Sequence, residues 1–181
     1  MTKTPVRIGM LGAGFIGQMH ALAFSGVMRS RLPDRVPVDL AVLSETNAAL
    51  RDEIVERYGW RRGVDAWREA AEGADIDLFI NSGPNDAHVA PTIAAARAGK
   101  HVFSEKPLAR NADEAYEIWQ AAKQAGVLHM CAFLHRSIPA LRLARDMIEA
   151  GELGTIRHYR SSFLMNMVQP DEVLTWRFDK D

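Results

Sequence analysis

The sequence contains a single cysteine, no apolar run long enough to cross a bilayer, and no excess of charge of either sign. Cys131 alone cannot form an intrachain disulfide, and such low cysteine usage favours a cytoplasmic location. The 22 basic and 23 acidic residues give a formal net charge of −1. Neither nucleic acid nor a membrane surface is therefore an expected partner, and no transmembrane helix is expected.

Two kinds of catalytic centre are also missing. The sequence has no Gly-x-Ser-x-Gly segment, which argues against serine-hydrolase chemistry. Several histidines lack a cysteine or carboxylate at the spacing of a metal site, so we expect no bound metal; these are His20, His101, His129 and His158.

Short apolar runs alternate with helical segments through most of the chain. The runs predict strands at Val6–Leu11, Val38–Leu43, Leu78–Asn81, His101–Ser104 and Val127–Phe133. The segments between them predict helices at Ile16–Phe24, Ala48–Tyr58, Ala66–Glu72, Ala87–Ala98 and Asp113–Ala125. Asn111, followed by Glu114, is the expected cap of the last of these helices. Near-continuous apolar strands are typical of sheets that are covered on both faces. We therefore predict an α/β domain with a doubly wound parallel sheet over residues 1–125.

The pattern changes in residues 126–181, which we interpret as the start of a second, α+β domain. After a crossover strand we predict a helix at Ile138–Ala150, a turn at Gly151–Gly154 and a long strand at Thr155–Met167. That strand would open a second sheet, but a lone strand cannot satisfy its own hydrogen-bond ladder. We therefore expect a fragment of a longer protein, or partner strands that come from elsewhere.

A glycine-rich turn, Gly12-Ala13-Gly14-Phe15-Ile16-Gly17, joins the first strand to the first helix. Strand before and helix after are the context that a dinucleotide fingerprint requires. Gly12 permits the tight turn, Gly14 lets a pyrophosphate approach the backbone, and Gly17 allows close packing of helix and strand. The helix N-terminus attracts the phosphates. We expect the whole turn to bind NAD or NADP; the alternative is that its glycines serve packing only.

Glu45, just after the second strand, is the candidate partner of the adenosine ribose. It lies further from the glycines than the usual spacing of about 20 residues, which an insertion at residues 27–37 explains. A carboxylate accepts hydrogen bonds from both ribose hydroxyls and repels a 2′-phosphate, so NAD is favoured. Arg51 is close by in the sequence, so NADP remains an alternative cofactor. The alternative for Glu45 is an exposed loop carboxylate with no role in cofactor binding.

Two further segments follow strands at the edge where a cofactor would bind: the turn after residue 81 and the segment that contains Lys106. In an open parallel sheet, ligands bind outside the carboxyl ends of the strands. The turn after residue 81 therefore offers Ser82, Pro84, Asn85 and His88 as cofactor contacts, although Asn85 and His88 would equally suit helix caps.

Lys106 follows the strand His101–Ser104 and would stand where cofactor and substrate meet. Its ammonium can donate to a substrate hydroxyl and stabilise the alkoxide that develops while a hydride leaves the same carbon. The alternative is a solvated surface lysine.

Three segments together resemble the Gfo/Idh/MocA oxidoreductase family: the glycine turn, Pro84-Asn85-Asp86-Ala87-His88, and the segment from Gly99 to Pro107 that contains Glu105-Lys106-Pro107. They occur in the family's order and context. The resemblance implies an N-terminal Rossmann domain followed by an open antiparallel sheet domain. Members often pair those sheets, so it also implies a homo-oligomer, a dimer or tetramer, formed through the C-terminal sheet.

The resemblance also implies roles for individual residues. Lys106 would be the active-site lysine, and Glu105 would orient it or contact the nicotinamide ribose. Arg136 matches a basic position near cofactor or substrate, and Trp176-Arg177 matches the family's Trp-Arg pair, which we expect near the cofactor. The family's Asp and His, the latter its expected general base, belong to a segment beyond that pair. The 181-residue chain alone would then be nearly inactive.

The implied activity is NAD(P)-dependent hydride transfer to or from a carbinol carbon of a sugar, inositol or related polyol. An NAD-dependent glycosidase on the same fold is one alternative. A non-catalytic, cofactor-sensing regulator is the other, although a sensor needs the glycine turn and not the lysine.

Overall fold

The computed structural model describes residues 4–29 and 36–164. Its strands are β1 (Val6–Leu11), β2 (Val38–Ser44), β3 (Arg62–Val64), β4 (Leu78–Asn81), β5 (His101–Ser104) and β6 (His129–Cys131). Its helices are α1 (Phe15–Arg29), α2 (Ala48–Tyr58), α3 (Trp67–Glu72), α4 (Val89–Arg97), α5 (Ala112–Ala125) and α6 (Pro139–Glu149). Single 3₁₀ turns lie at Asn85–Ala87 and Leu134–Ser137.

The six strands form one parallel sheet in the order β3-β2-β1-β4-β5-β6. This confirms the predicted doubly wound sheet. The strand order reverses beside β1, whose neighbours are β2 and β4. Ligands of open α/β sheets bind at such a switch point, outside the carboxyl ends of the strands.

Both faces of the sheet are covered, as the apolar strands predicted. Neighbouring residues of one strand enter different hydrophobic clusters: Phe79 lies in one and Ile80 in the other, and both are 0% exposed. Gly9 in β1 lets α3 approach closely, since a Cβ there would lie 2.0 Å from the Ala70 carbonyl oxygen. The capping residue predicted before α5 is confirmed, because the Asn111 side chain accepts from the Glu114 N–H.

Two strands differ from the predictions. The strand β3 was missed because Arg62-Gly63-Val64 contains no apolar run, and its pairing with β2 defines it instead. The predicted strand from Thr155 is wrong over residues 155–164, which carry no strand. Within the described residues no neighbouring strand is present to complete its ladder. The remainder of that predicted strand lies outside the described residues.

The chain divides into two compact units, Met1–His135 and Arg136–Asp181. The predicted boundary after residue 125 differs because β6 pairs with β5 and so belongs to the first unit's sheet. In the second unit, α6 confirms the predicted helix and exposes the apolar side chains of Leu141, Leu143 and Ile148. Of the helices in the described ranges, none has the length and apolar character needed to span a membrane.

Candidate functional site

The carboxyl ends of four strands are tied together by backbone hydrogen bonds. The Gly12 N–H donates to the Ser44 carbonyl at 2.9 Å, and the Ser82 N–H donates to the Leu11 carbonyl at 2.9 Å. The turn that follows β5 is joined in the same way, because the Glu105 N–H donates to the carbonyl of β4's last residue at 2.8 Å. The glycine turn, Glu45, the turn after β4 and Lys106 therefore follow strands that end at one edge of one sheet.

The three glycines of the turn play different structural roles. Gly12 has φ +93°, and a Cβ on it would lie 2.7 Å from the Ser82 carbonyl oxygen. A Cβ on Gly17 would lie 2.1 Å from the Gly12 carbonyl oxygen. At Gly14 a Cβ would meet no atom within 4 Å. The protein's own packing thus requires glycine at the first and third positions, whereas the second leaves open space above the backbone.

That open space fits a dinucleotide. Gly14 and Phe15 are exposed, Ile16 is half-buried, and α1 begins at Phe15. The first N–H groups of a helix have no partner within the helix. They carry a partial positive charge, so the turn presents donors beside a space of the kind a pyrophosphate needs.

Glu45 is held at the glycine turn by backbone donors. Its Oε2 accepts a hydrogen bond from the Ala13 N–H at 3.0 Å, and its Oε1 accepts one from the Asn47 N–H at 3.0 Å. Oε1 also accepts from the Thr46 hydroxyl at 3.4 Å, so Oε2 is the oxygen that keeps a lone pair for a ribose hydroxyl. Arg51, the residue that made NADP an alternative cofactor, forms an ion pair with Asp52, with 3.1 Å between Nε and Oδ1.

Asn81, at the end of β4, organises the turn that follows it, a role that was not predicted from the sequence. Its side chain is 0% exposed. Its Nδ2 donates to the Ala87 carbonyl at 2.9 Å and to Thr92 Oγ1 at 3.0 Å, and its Oδ1 accepts from the Gly83 N–H at 3.2 Å. The sequence contains one signal of this role, because Asn81 is a polar residue at the end of an apolar strand. A buried polar side chain needs hydrogen-bond partners.

The predicted cofactor contacts of this turn are spread between its surface and its interior. Pro84 is exposed and Asn85 is half-buried. The Ser82 hydroxyl donates to the Leu11 carbonyl at 2.7 Å, within the protein. No group of three or more candidate metal ligands is found among the described residues.

His88 lies beneath the turn and is 1% exposed. Its Nδ1 is 2.6 Å from the Pro107 carbonyl oxygen and its Nε2 is 3.1 Å from the Gly83 carbonyl oxygen. Both ring nitrogens therefore face protein carbonyls, which argues against the predicted direct contact with a cofactor.

Glu105 is nearly buried, whereas Lys106 is exposed. The Glu105 Oε1 lies 3.0 Å from His20 Nε2, and its Oε2 accepts from the Lys106 backbone N–H at 3.1 Å. Among the residues that the structure describes, no hydrogen bond or ion pair engages the Lys106 ammonium. The ammonium is thus available at the carboxyl edge of the sheet. The Lys106–Pro107 peptide bond is cis.

Cys131, at the end of β6, fits the inert thiol that its apolar surroundings suggest. Burial raises its pKa, the nearby charge of Glu105 raises it further, and Lys106 opposes the shift. A raised thiol pKa lowers the fraction of reactive thiolate.

The remaining predicted site residues lie elsewhere in the chain. Arg136 belongs to the second unit, where it is exposed in the 3₁₀ turn Leu134–Ser137. Trp176 and Arg177 lie outside the described residues.

Comparison with known proteins agrees with this geometry. Residues 6–133 match the model of a family described as an oxidoreductase family with an NAD-binding Rossmann fold. Among curated proteins, levoglucosan dehydrogenase of Pseudarthrobacter phenanthrenivorans is 35% identical over 97% of this chain and 45% of its own length. Inositol 2-dehydrogenase of Rhizobium meliloti is 32% identical over 83% of this chain and 43% of its own length. The chain thus spans a little under half of these relatives.

Solved structures are similar as well. A levoglucosan dehydrogenase in complex with NADH has a TM-score of 0.79 and 35% identity, covering 83% of this chain and 41% of that one. An oxidoreductase domain protein from Kribbella flavida has a TM-score of 0.87 and 35% identity, covering 99% of this chain and 48% of that one.

Proposed function

The chain belongs to the Gfo/Idh/MocA oxidoreductase family, whose Rossmann domain binds NAD, and we propose that the whole protein is an NAD-dependent dehydrogenase of a sugar, an inositol or a related polyol. The observation that carries this proposal is the exposed ammonium of Lys106, which has no partner among the described residues, at the same sheet edge as the open glycine turn. Such an edge is where a doubly wound sheet binds its ligands.

The first step in the proposed function is cofactor binding by the first unit. The exposed backbone at Gly14 and the start of α1 would hold the pyrophosphate. The fixed carboxylate of Glu45 would accept hydrogen bonds from the adenosine ribose and repel a 2′-phosphate. We therefore assign NAD rather than NADP as the preferred cofactor.

Lys106 would act on the substrate in the second step. When bound, the nicotinamide supplies an acceptor for the hydride that leaves the carbinol carbon. The Lys106 ammonium would donate to the oxygen on that carbon, where negative charge develops as the hydroxyl proton is removed, before the hydride departs and the carbonyl forms. Glu105 is occupied by His20 and by the Lys106 amide, so we assign removal of the hydroxyl proton to a group outside the described residues.

The test is NADH formation by the full-length protein, followed at 340 nm with levoglucosan, inositols and simple sugars. We expect Lys106→Ala to keep NADH affinity and to lower kcat by about 10²–10³-fold, the loss typical of removing one donor to a developing oxyanion. Lys123→Ala, which removes an exposed lysine above the Trp119 ring on α5, is the matched control and should change neither quantity. Equal turnover by wild type and Lys106→Ala would overturn the assignment of Lys106.

The proposal also covers the compartment and the oligomeric state of the protein. We propose a cytoplasmic homo-oligomer that associates through its C-terminal part. The single cysteine supports the compartment, and the exposed apolar side chains Leu141, Leu143 and Ile148 of the second unit support further association. Light scattering of the full-length protein tests the oligomeric state, and a monomer would contradict it. Cell fractionation tests the compartment, and a membrane-bound protein would contradict it.

A further inference from the structure

Two histidines from different elements contact the residues on either side of Lys106. His20 belongs to α1, the helix that starts at the glycine turn, and it contacts Glu105. His88 precedes α4 and contacts Pro107. We refer to residues 105–107 as the lysine turn.

His20 fixes the first residue of the lysine turn. Its side chain is 20% exposed and that of Glu105 is 9% exposed, so solvent competes little for their 3.0 Å contact. The imidazole also packs edge-on against Phe103 of β5, with 5.5 Å between the ring centroids. Since the other Glu105 oxygen accepts from the Lys106 N–H, the position of His20 bears directly on the backbone of Lys106.

His88 fixes the last residue of the same turn. Its Nδ1 lies 2.6 Å from the Pro107 carbonyl oxygen, the shorter of its two contacts. The ring itself cannot shift easily, because it is buried and the His88 carbonyl accepts from Asn81 Nδ2 at 3.2 Å. The buried imidazole of His88 therefore anchors the chain immediately after Lys106.

We propose that His20 and His88 are positioning residues that hold the lysine turn from both sides and so aim the Lys106 ammonium at the reacting oxygen. This inference rests on the proposed function of Lys106. A lysine side chain has several rotatable bonds, so the placement of its ammonium depends on a fixed backbone. A displacement of about 1 Å in a catalytic group can lower turnover by about 10²-fold.

The experiment uses the fact that asparagine and glutamine mimic different ring nitrogens. The amide nitrogen of asparagine takes the place of Nδ1, and that of glutamine takes the place of Nε2. The His88 contact with the lysine turn is made by Nδ1, whereas the His20 contact is made by Nε2. We therefore expect opposite preferences at the two positions in the full-length protein.

In steady-state kinetics, the kcat of His88→Gln should be at least about tenfold lower than that of His88→Asn. Likewise, the kcat of His20→Asn should be at least about tenfold lower than that of His20→Gln. The KM for NAD should stay within about threefold of wild type in all four, because none of these contacts involves the glycine turn. His101→Asn is the matched control, since His101 is exposed at the amino end of β5, away from the site, and should leave kcat unchanged. Equal kcat within each pair would overturn the proposal.

A second measurement does not depend on activity. Hydrogen exchange of the Lys106 backbone amide, followed by NMR in the free and the NADH-bound protein, reports the bond to Glu105 directly. Exchange should be faster in His20→Asn than in His20→Gln, and equal rates would overturn the role of His20. If both His88 variants fail to fold, the His20 pair decides by both measurements. If wild type and Lys106→Ala turn over equally while exchange follows the expected order, the proposed function fails and the positioning of the turn stands.

Discussion

The carboxylate of Glu45, at the end of β2, accepts a hydrogen bond from the backbone N–H of Ala13 in the glycine turn, at 3.0 Å. The bond joins two segments far apart in the sequence and places a negative charge beside the dinucleotide fingerprint. A second backbone donor, the Asn47 N–H, holds the other carboxylate oxygen. The negative charge is therefore fixed in position before any cofactor binds.

Replacing Glu45 should change the choice of cofactor. In Glu45→Gln the shape of the side chain is kept, but the charge that repels a 2′-phosphate is lost. We expect NADH affinity to fall about tenfold, in line with about 1.5 kcal/mol for a hydrogen bond to a charged group, while NADPH affinity rises. Fluorescence titration of both cofactors measures the two changes. Glu56→Gln, at an exposed position on α2, is the control, and a cofactor preference equal to wild type in Glu45→Gln would refute the role.

The glycines of the turn should separate cofactor binding from folding. A methyl group at Gly14 meets no protein atom within 4 Å. Gly14→Ala should therefore keep the free energy of unfolding within about 1 kcal/mol of wild type. It should nevertheless weaken NADH binding about tenfold or more, because the methyl fills the space through which the pyrophosphate approaches. Urea unfolding and NADH titration measure the two effects.

Gly12→Ala is the contrasting variant. It combines a φ of +93° with a Cβ 2.7 Å from the Ser82 carbonyl oxygen. We expect a loss of stability of about 1–3 kcal/mol even without cofactor. If Gly14→Ala destabilised the protein as much as Gly12→Ala, the open space at Gly14 would not exist.

Residues with a local signature could be predicted from the sequence. The glycine turn, the apolar strands and the cap at Asn111 follow from short-range chemistry, and the structure confirms them. His20 and Asn81 could not be placed in advance, because their roles arise from partners distant in sequence, such as Glu105. For the same reason β3 was missed, since a short strand without an apolar run is defined by the neighbour it pairs with.

Asn81 should stabilise the turn after β4 more than an ordinary surface cap stabilises its helix. Asn81→Ala removes a donor to the Ala87 carbonyl and to Thr92 Oγ1 in a fully buried position. Groups left unsatisfied in such a place destabilise by about 1–3 kcal/mol each. We expect a loss at the upper end of this range, measured by urea unfolding, together with weaker NADH binding.

Asn111→Ala is the control for that measurement. It removes an exposed side-chain cap, the bond from the Glu114 N–H to Asn111 Oδ1, and should lower stability by about 1 kcal/mol. NADH affinity should not change, because the lost bond lies within the first turn of α5. A smaller loss in Asn81→Ala than in Asn111→Ala would contradict the role given to the buried amide.

A paired carboxylate at the start of the sheet should make stability depend on pH. Arg7, in β1, binds Asp77 through Nη2 at 2.6 Å, Nε at 2.9 Å and its backbone N–H at 2.9 Å. The Arg7 side-chain hydrogen bonds hold the pKa of Asp77 at about 2, below its ordinary value of 3.8. Both side chains are 38% exposed, so solvent screening reduces the energetic effect.

Because the native pKa is the lower one, the ionised carboxylate stabilises the fold above pH 3.8, and this contribution is lost as pH falls towards about 2. We expect Asp77→Asn to lower the free energy of unfolding by about 1 kcal/mol at pH 7, after allowance for screening. The difference from wild type should shrink steadily between pH 4 and pH 2. Glu53→Gln, which breaks an exposed pair with Arg57 on α2, should cost less than about 0.5 kcal/mol at pH 7. A difference between wild type and Asp77→Asn that grows on acidification would show that the carboxylate is destabilised, not stabilised, by its native surroundings.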